Sequence, residues 1–488
     1  MIGRLEYKWI VGIVFVFGLF MDLLDMTIVN VAIPKLSEDL NASTTQVQWV
    51  VTGYLLSLAV FIPVSGWLGD RFGTKRIFMT ALFLFTSASL LCGLAWSIES
   101  LIAFRVLQGI GGGMLTPVGT AMLFRAFPPH ERAKGASILM IPMVVAPASG
   151  PVLGGYLVEY QDWSWIFFIN IPVGALGFLF AALFLKEETQ PNPGRLDLPG
   201  LALAGAGLAS LMYGLAEAGD RGLDDPRVLL FGGIGLAILA LFAFVELRTA
   251  EPMIDVRLFT DRLFRAANVA QLIGFAALMG GLFLLPLMLQ SPSTLGLGAF
   301  DSGLTTFPQA IGVVMMVQVS GRIYPIVGPR RLLALGMAGV AATTFAFLLV
   351  DLGTSLWWIR LIMFIRGCFF SFMLVSLQTA TFATITPQMM GRASAISNAG
   401  RQVGASLGVA LLATVLTSRL SANGSSLLPG ANAQAALDAF HEAFIVAAVL
   451  ALVGMGAALL VSDKDAAVSM RRAQARAPDE EIAPVVAS

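Results

Sequence analysis

Two hairpins decide the architecture: GWLGDRFGTKR, Gly66 to Arg76, and GRIYPIVGPRR, Gly321 to Arg331. Gly66, Gly73 and Arg76 in the first keep the same spacing as Gly321, Gly328 and Arg331 in the second. Both hairpins join an apolar run to the next, and both lie between the second and third runs of a set of six. The chain therefore reads as two related six-helix units.

Composition places those units in a bilayer. Of 488 residues, 57% are hydrophobic and 12% charged, where a soluble domain carries about a quarter charged. A spanning helix needs roughly twenty mostly apolar residues. Such runs are predicted over 10–34, 48–69, 77–97, 100–124, 135–157 and 164–185, then 198–217 and 228–246. Six more follow over 264–290, 302–320, 332–350, 355–384, 393–417 and 440–461. The expected fold is an all-α polytopic membrane protein of fourteen helices, two six-helix bundles with two inserted central helices. The parts are 1–190, the insert 191–250, 251–462 and a disordered cytoplasmic tail over 463–488. The first run continues to Pro34 without a small-residue cleavage site, so it is read as a span and not as a signal peptide.

Basic residues stay on the cytoplasmic side of short loops. One side collects, among others, Arg4, Lys8, Arg71, Lys75, Arg76, Arg125, Arg132 and Lys134, and later Arg322, Arg330, Arg331 and Arg392. The other has Lys35, Arg221, Arg227 and Arg419. Both termini are thus expected in the cytoplasm, in the cell (inner) membrane, with an even number of spans.

Several functions are disfavoured. Lys plus Arg and Asp plus Glu are both 30, so no net field points to nucleic acid. Cys92, Cys368, His130 and His441 are scattered, without metal or nucleophile spacing. No phosphate-cradling GxxxxGK[ST] loop is present, so neither ATP nor another cofactor is expected. An enzyme reading has no foothold.

The candidate chemistry lies in the first helix. Asp22 and Asp25 stand one turn apart near mid-bilayer, on one helix face. A charge there costs about 2.5–3.5 kcal/mol on insertion scales, so such a residue is a functional candidate. Asp25, and secondarily Asp22, is read as a proton carrier, because burial and a like-charged neighbour favour the protonated form of one of them. The alternative is a permanent pairing with arginine. Arg105 in the fourth span lies at a matching depth and is the expected partner; Arg366 stands in the fourth span of the second half. Asp70, with Arg71 and Arg76, is expected to latch the cytoplasmic side. Asn30, Gln271, Gln309, Arg366, Gln378, Asn398 and Arg401 are the polar candidates for a central substrate cavity.

Five stretches in the first half resemble one family. LLDMTIVNVAIP (Leu23–Pro34) looks like its first-helix signature, GWLGDRFGTKR its loop motif and FRVLQGIGGG (Phe104–Gly113) its fourth-helix motif. PASGPVLGG (Pro147–Gly155) looks like its antiporter motif, and WSWIFFINIPVG (Trp163–Gly174) matches its sixth helix. In the second half RQVGASLG (Arg401–Gly408) is a looser match. The chain thus resembles the fourteen-span drug:proton antiporters of the major facilitator superfamily, the EmrB/QacA type. It departs at Ala146, where the motif usually opens on glycine, and at Pro325, where a counterpart of Asp70 would stand. The resemblance implies a monomeric exporter of small lipophilic or cationic compounds, working by alternating access and driven by the proton gradient. It also implies that Pro147, Gly150, Pro151, Gly154 and Gly155 form a seal against leak. Their prolines and glycines predict a bent helix at the interface between bundles. A proton-linked exporter of one metabolite or lipid, or a non-transporting membrane receptor, is the alternative.

Overall fold

The structure is a computed structural model that describes residues 6–42, 44–189, 197–249, 252, 254–427 and 430–470. No strand occurs among them. A helix satisfies its own backbone groups, which a bilayer interior demands. The first six spans are α1 (Tyr7–Asp39), α2 (Thr44–Phe72), α3 (Thr74–Gly93), α4 (Ile98–Ala126), α5 (Arg132–Tyr160) and α6 (Trp165–Phe184, broken at Ile169). The inserted pair is α7 (Leu198–Arg221) and α8 (Pro226–Arg248). The last six are α9 (Arg262–Gln290), α10 (Phe300–Val327, broken at Phe307), α11 (Pro329–Leu349), α12 (Leu356–Thr381), α13 (Met390–Ala422) and α14 (Ala433–Ala458). Among the described residues, thirteen of these are long and apolar enough to cross a membrane. The other, α5, is a continuous helix whose apolar stretch, Val145–Val158, is shorter. Its run of prolines and glycines dilutes the apolar character. With α5 the spans number fourteen, and each expected run overlaps one of them, although the runs 77–97, 164–185, 332–350, 355–384 and 440–461 overshoot the helix ends.

The repeat seen in the hairpins extends to their surroundings. Gly73 and Gly328 have φ of 100° and 88°, a conformation that favours glycine. Each turn is held by a carboxylate from beyond the last helix of its own half. Glu187 accepts from the Lys75 backbone N–H at 3.1 Å, and Asp463 accepts from that of Arg330 at 2.9 Å. Lys75 also donates from Nζ to the carbonyls of Ala182 and Leu185, both at 2.8 Å, at the end of α6. A cation suits a helix C-terminus.

The tail reading needs correction over Asp463–Met470. Ala467–Met470 forms a short helix, Ser469 is buried, and its hydroxyl lies 3.0 Å from that of Tyr324. A polar sequence is held here because Asp463 is tied to the hairpin of the second half. Residues 471–488, like the boundary stretch 190–196, lie outside the described set.

The inserted helices pack on each other through glycines: Gly235 meets the backbone of Leu211, and Gly214 that of Gly232. Helix α7 then covers the seam between α2 and α13, with the Thr414 hydroxyl donating to the Ala218 carbonyl at 3.1 Å. Helix α8 turns Leu229, Leu230, Leu236 and Phe244 outward. Apolar side chains facing outward are what lipid contact requires.

A buried charge network between two halves

Asp25 and Asp22 are both buried, at 0% and 3% exposure, yet their partners differ in kind. Asp25 Oδ2 accepts from Arg105 Nη1. Its Oδ1 accepts from Gln108 Nε2 at 2.9 Å and Asn170 Nδ2 at 3.2 Å. Three donors on one carboxyl suit the ionised form, which only accepts. Arg105 is fixed from several directions: Nε donates to the Val50 carbonyl at 3.1 Å, and Nη1 also to Gln108 Oε1 at 2.8 Å. Its guanidinium lies 4.2 Å from the Tyr54 ring centre and 5.7 Å from that of Phe167. Asn170 is held in turn by the Ser89 hydroxyl at 3.1 Å.

Asp22 has two hydroxyl donors, Tyr54 at 2.5 Å and Thr116 at 2.9 Å. Tyr54 thus bridges the two acids, giving its hydroxyl to Asp22 and its ring to the cation paired with Asp25. From the second half, Arg401 is near enough for its charge to act on Asp22. Asn398 accepts from Arg401 Nη2 at 2.6 Å and is anchored on Ser394. The interface between halves therefore carries an acid on one side and a base on the other.

The glycines of FRVLQGIGGG make this arrangement possible. A Cβ on Gly109 would lie 2.0 Å from Ser57 Oγ, one on Gly113 2.5 Å from the Leu58 carbonyl, and one on Gly111 2.7 Å from Phe85 N. A Cβ on Gly112 would stand 3.0 Å from Asp22 Oδ1. Close approach of α2, α3 and α4 brings Tyr54, Thr116 and Gln108 to α1. Gly150 of α5 does the same for α1, since a Cβ there would lie 2.2 Å from Thr27 Oγ1.

On the side of the basic loops the halves are locked together. A Cβ on Gly66 would lie 2.7 Å from the Gly391 carbonyl. Asp70 does not pair with Arg71 or Arg76, and that expectation is corrected. Arg71 is exposed, and Arg76, with a side chain 77% exposed, lies 3.6 Å from Glu187. The partner of Asp70 is Arg125 of α4 at 2.6 Å, whose Nε also donates to the Pro387 carbonyl of the other half at 3.0 Å. The hairpin turns Arg71 and Arg76 toward solvent, whereas α4 ends beside Asp70. Arg132 of α5 reaches the carbonyls of Phe382 and Ile385 just past α12. The Ser394 hydroxyl donates to the Pro117 carbonyl at 2.7 Å.

The other expected residues scatter. Gln271 is bonded to Ser397 at 2.7 Å, inside the second half. Gln309, Gln378 and Arg366 are buried. Arg401 lies with its guanidinium 5.8 Å from the Phe275 ring centre, and Gln271 is turned toward α13. The side chains of Asn30 and Pro151 lie outside the described set. Pro147 is half-buried, Gly154 is buried, and Gly155 has open space where a Cβ would stand. The expected interface position of α5 is met, since it touches α1 on one side and α10 and α12 on the other. Tyr54, Thr116, Asn170, Arg125 and Arg132 were not singled out by the sequence. Tyr54 and Asn170 carried one signal: each is a polar group inside an apolar run.

Fold and network together define a polytopic helical carrier with an ionisable centre. Residues 15–409 match the family model described as Major Facilitator Superfamily. The chain is 36% identical over 407 residues to the Bacillus subtilis (strain 168) protein named uncharacterized MFS-type transporter YhcA, covering 83% of this chain and 76% of that one. It is also 36% identical over 397 residues to the multidrug resistance protein B homolog of Mycobacterium tuberculosis (strain H37Rv), covering 80% and 73%. The crystal structure of the human organic anion transporter MFSD10 superposes with a TM-score of 0.66 at 16% identity, over 92% of this chain and 99% of that one, a likeness of fold. The chain belongs to the Major Facilitator Superfamily, a family of secondary transporters and not of enzymes.

Proposed function

We propose that the protein is a proton-coupled exporter of lipophilic or cationic compounds, an antiporter of the multidrug type. On this reading it is a monomer in the cell membrane, with both termini cytoplasmic and the bundles divided near residues 190 and 250. The observation that carries the proposal is the pair of buried carboxyls on one turn of α1. Asp25 is held by a guanidinium and two amides, whereas Asp22 is held by neutral hydroxyls. A proton enters at Asp22, whose hydroxyl partners can rotate to serve either charge state. Neutral Asp22 no longer attracts Arg401, and the two halves lose an electrostatic attraction that favours one arrangement over the other. A cationic compound competes with the proton for the same negative charge, which is the coupling that exchange requires. The names of the multidrug relatives support this choice of substrate.

Helices α2, α4 and α5 closed onto the second half at the basic loops represent one state of alternating access, with the cytoplasmic side sealed. The test is dye flux into and out of proteoliposomes under an imposed pH gradient. Intact protein should move a lipophilic cationic dye uphill, and Asp25→Asn and Asp22→Asn should each abolish gradient-driven movement. Uphill flux retained in both variants would refute the reading.

A further inference from the structure

The two halves handle one matched position in opposite ways. Tyr54 stands as far ahead of Gly66 as Gln309 stands ahead of Gly321. A Cβ on Gly109 would lie 2.4 Å from the Tyr54 carbonyl, and one on Gly367 would lie 2.1 Å from the Gln309 carbonyl. Gly109 and Gly367 are therefore counterparts, and so are the residues before them, Gln108 and Arg366. Gln108 donates to a carboxylate that the chain itself supplies, Asp25. Arg366 is directed at Gly281 of α9, where a Cβ would stand 2.6 Å from its Nη2 and 3.4 Å from Nη1.

Arg366 is 0% exposed, and Nε, Nη1 and Nη2 all lack a hydrogen-bond partner among the described residues. Its charge is opposed by no ion pair there. On the neighbouring helix α10, Gln309 carries a buried, unpartnered side-chain oxygen. An amide can turn to present its NH2 group instead. A guanidinium kept in an apolar interior needs a counter-charge, and its planar fork matches a carboxylate in two parallel hydrogen bonds.

We propose that Arg366 is the centre of a buried anion site in the second half, taking one small negative charge, the carboxylate of an organic acid or a halide ion. Gly281 is the floor of that site, since a side chain there would displace the guanidinium. Gln309 is an additional donor. The site stands apart from the Asp22 and Asp25 network and does not depend on proton coupling there.

The test uses the purified full-length chain in detergent, its unfolding temperature followed by tryptophan fluorescence at constant ionic strength. Sodium chloride and sodium benzoate are titrated separately against a large sulfonate. Intact protein should show a saturable rise with at least one of them. Gly281→Ala and Arg366→Gln should each weaken the midpoint at least tenfold, while Arg360→Gln, whose guanidinium rests on Trp357 at 4.9 Å, leaves it unchanged. A rise with benzoate alone assigns an organic acid, and a rise with chloride alone assigns a halide. No saturable rise with either, or equal midpoints in Gly281→Ala and intact protein, would overturn the site. If Arg366→Gln does not fold, Gly281→Ala decides alone. Because dye flux plays no part, failure here leaves the antiport reading standing, and the reverse also holds.

Discussion

Gly66 of α2 and Gly391 of α13 meet backbone to backbone across the two halves, and a Cβ on Gly66 would lie 2.7 Å from the Gly391 carbonyl and 2.8 Å from its carbon. Neither neighbour can yield by a rotamer change, because both are main chain. Gly66→Ala should therefore weaken the closed arrangement of the basic-loop side. Ser394 is 0% exposed in that seam. In a background without Cys92 and Cys368, a Ser394→Cys probe should react with a membrane-impermeant thiol reagent severalfold faster when Gly66→Ala is added. An unchanged rate would mean that this contact does not hold the seam.

Within the same seam, Asp70 and Arg125 have side chains only 8% and 5% exposed, whereas Arg76 pairs weakly in the open. Removing one partner of a buried pair costs about 3–5 kcal/mol, and an exposed pair is worth about 0–1 kcal/mol. Arg125→Gln should thus raise labelling at the same probe and cut flux sharply, while Arg76→Gln leaves both near their starting values. Thiol labelling and dye flux on the two variants side by side would check this; equal effects would return the latch to the hairpin arginines.

Asp25→Asn leaves Arg105 buried without its counter-charge, at a cost of about 3–5 kcal/mol. Adding Arg105→Gln removes the stranded charge, so the double variant should lose less stability than the two single variants together. Thermal unfolding of the four proteins forms the cycle. Simple additivity would show that the two groups do not act as a pair.

Tyr54 serves Asp22 with its hydroxyl and Arg105 with its ring. Tyr54→Phe keeps the ring and removes the donor, and a hydrogen bond to a charged group is worth about 1.5–3 kcal/mol. Gradient-driven flux should fall about tenfold or more, and Tyr54→Leu should lower it further by removing the cation's platform as well. Equal flux in Tyr54→Phe and intact protein would remove the hydroxyl from the coupling scheme.

At the edge of the membrane, Lys8 donates to Glu131 at 2.6 Å and ties the start of α1 to the hairpin between α4 and α5. The ammonium of Lys8, with help from Lys134, holds the Glu131 carboxyl below the ordinary glutamate range against a smaller opposing effect of burial. A lowered carboxyl contributes stability above its unfolded pKa and loses it as pH falls through the folded value. Intact protein should therefore exceed Glu131→Gln in unfolding temperature at pH 7, and the gap should close in acid below the ordinary glutamate pKa. A gap that widened in acid would reverse the sign.

The recurrence of long apolar helices, the duplicated hairpin and the placing of Asp22 and Asp25 one turn apart on the first helix were legible in the amino-acid order. Each is a local property: apolar length, or spacing along the chain. Partnership was not legible, because it depends on how helices distant in sequence rotate and cross. Arg71 and Arg76 are near Asp70 in sequence, yet Arg125 reaches it, and the carboxyl of Asp25 meets Asn170 from α6. The glycine contacts of α4 and α5 set those rotations, and only the folded bundle reveals which side chain each close approach delivers. The same holds for Arg366, one more arginine in an apolar run until the packing places it against Gly281 without a hydrogen-bond partner among the described residues.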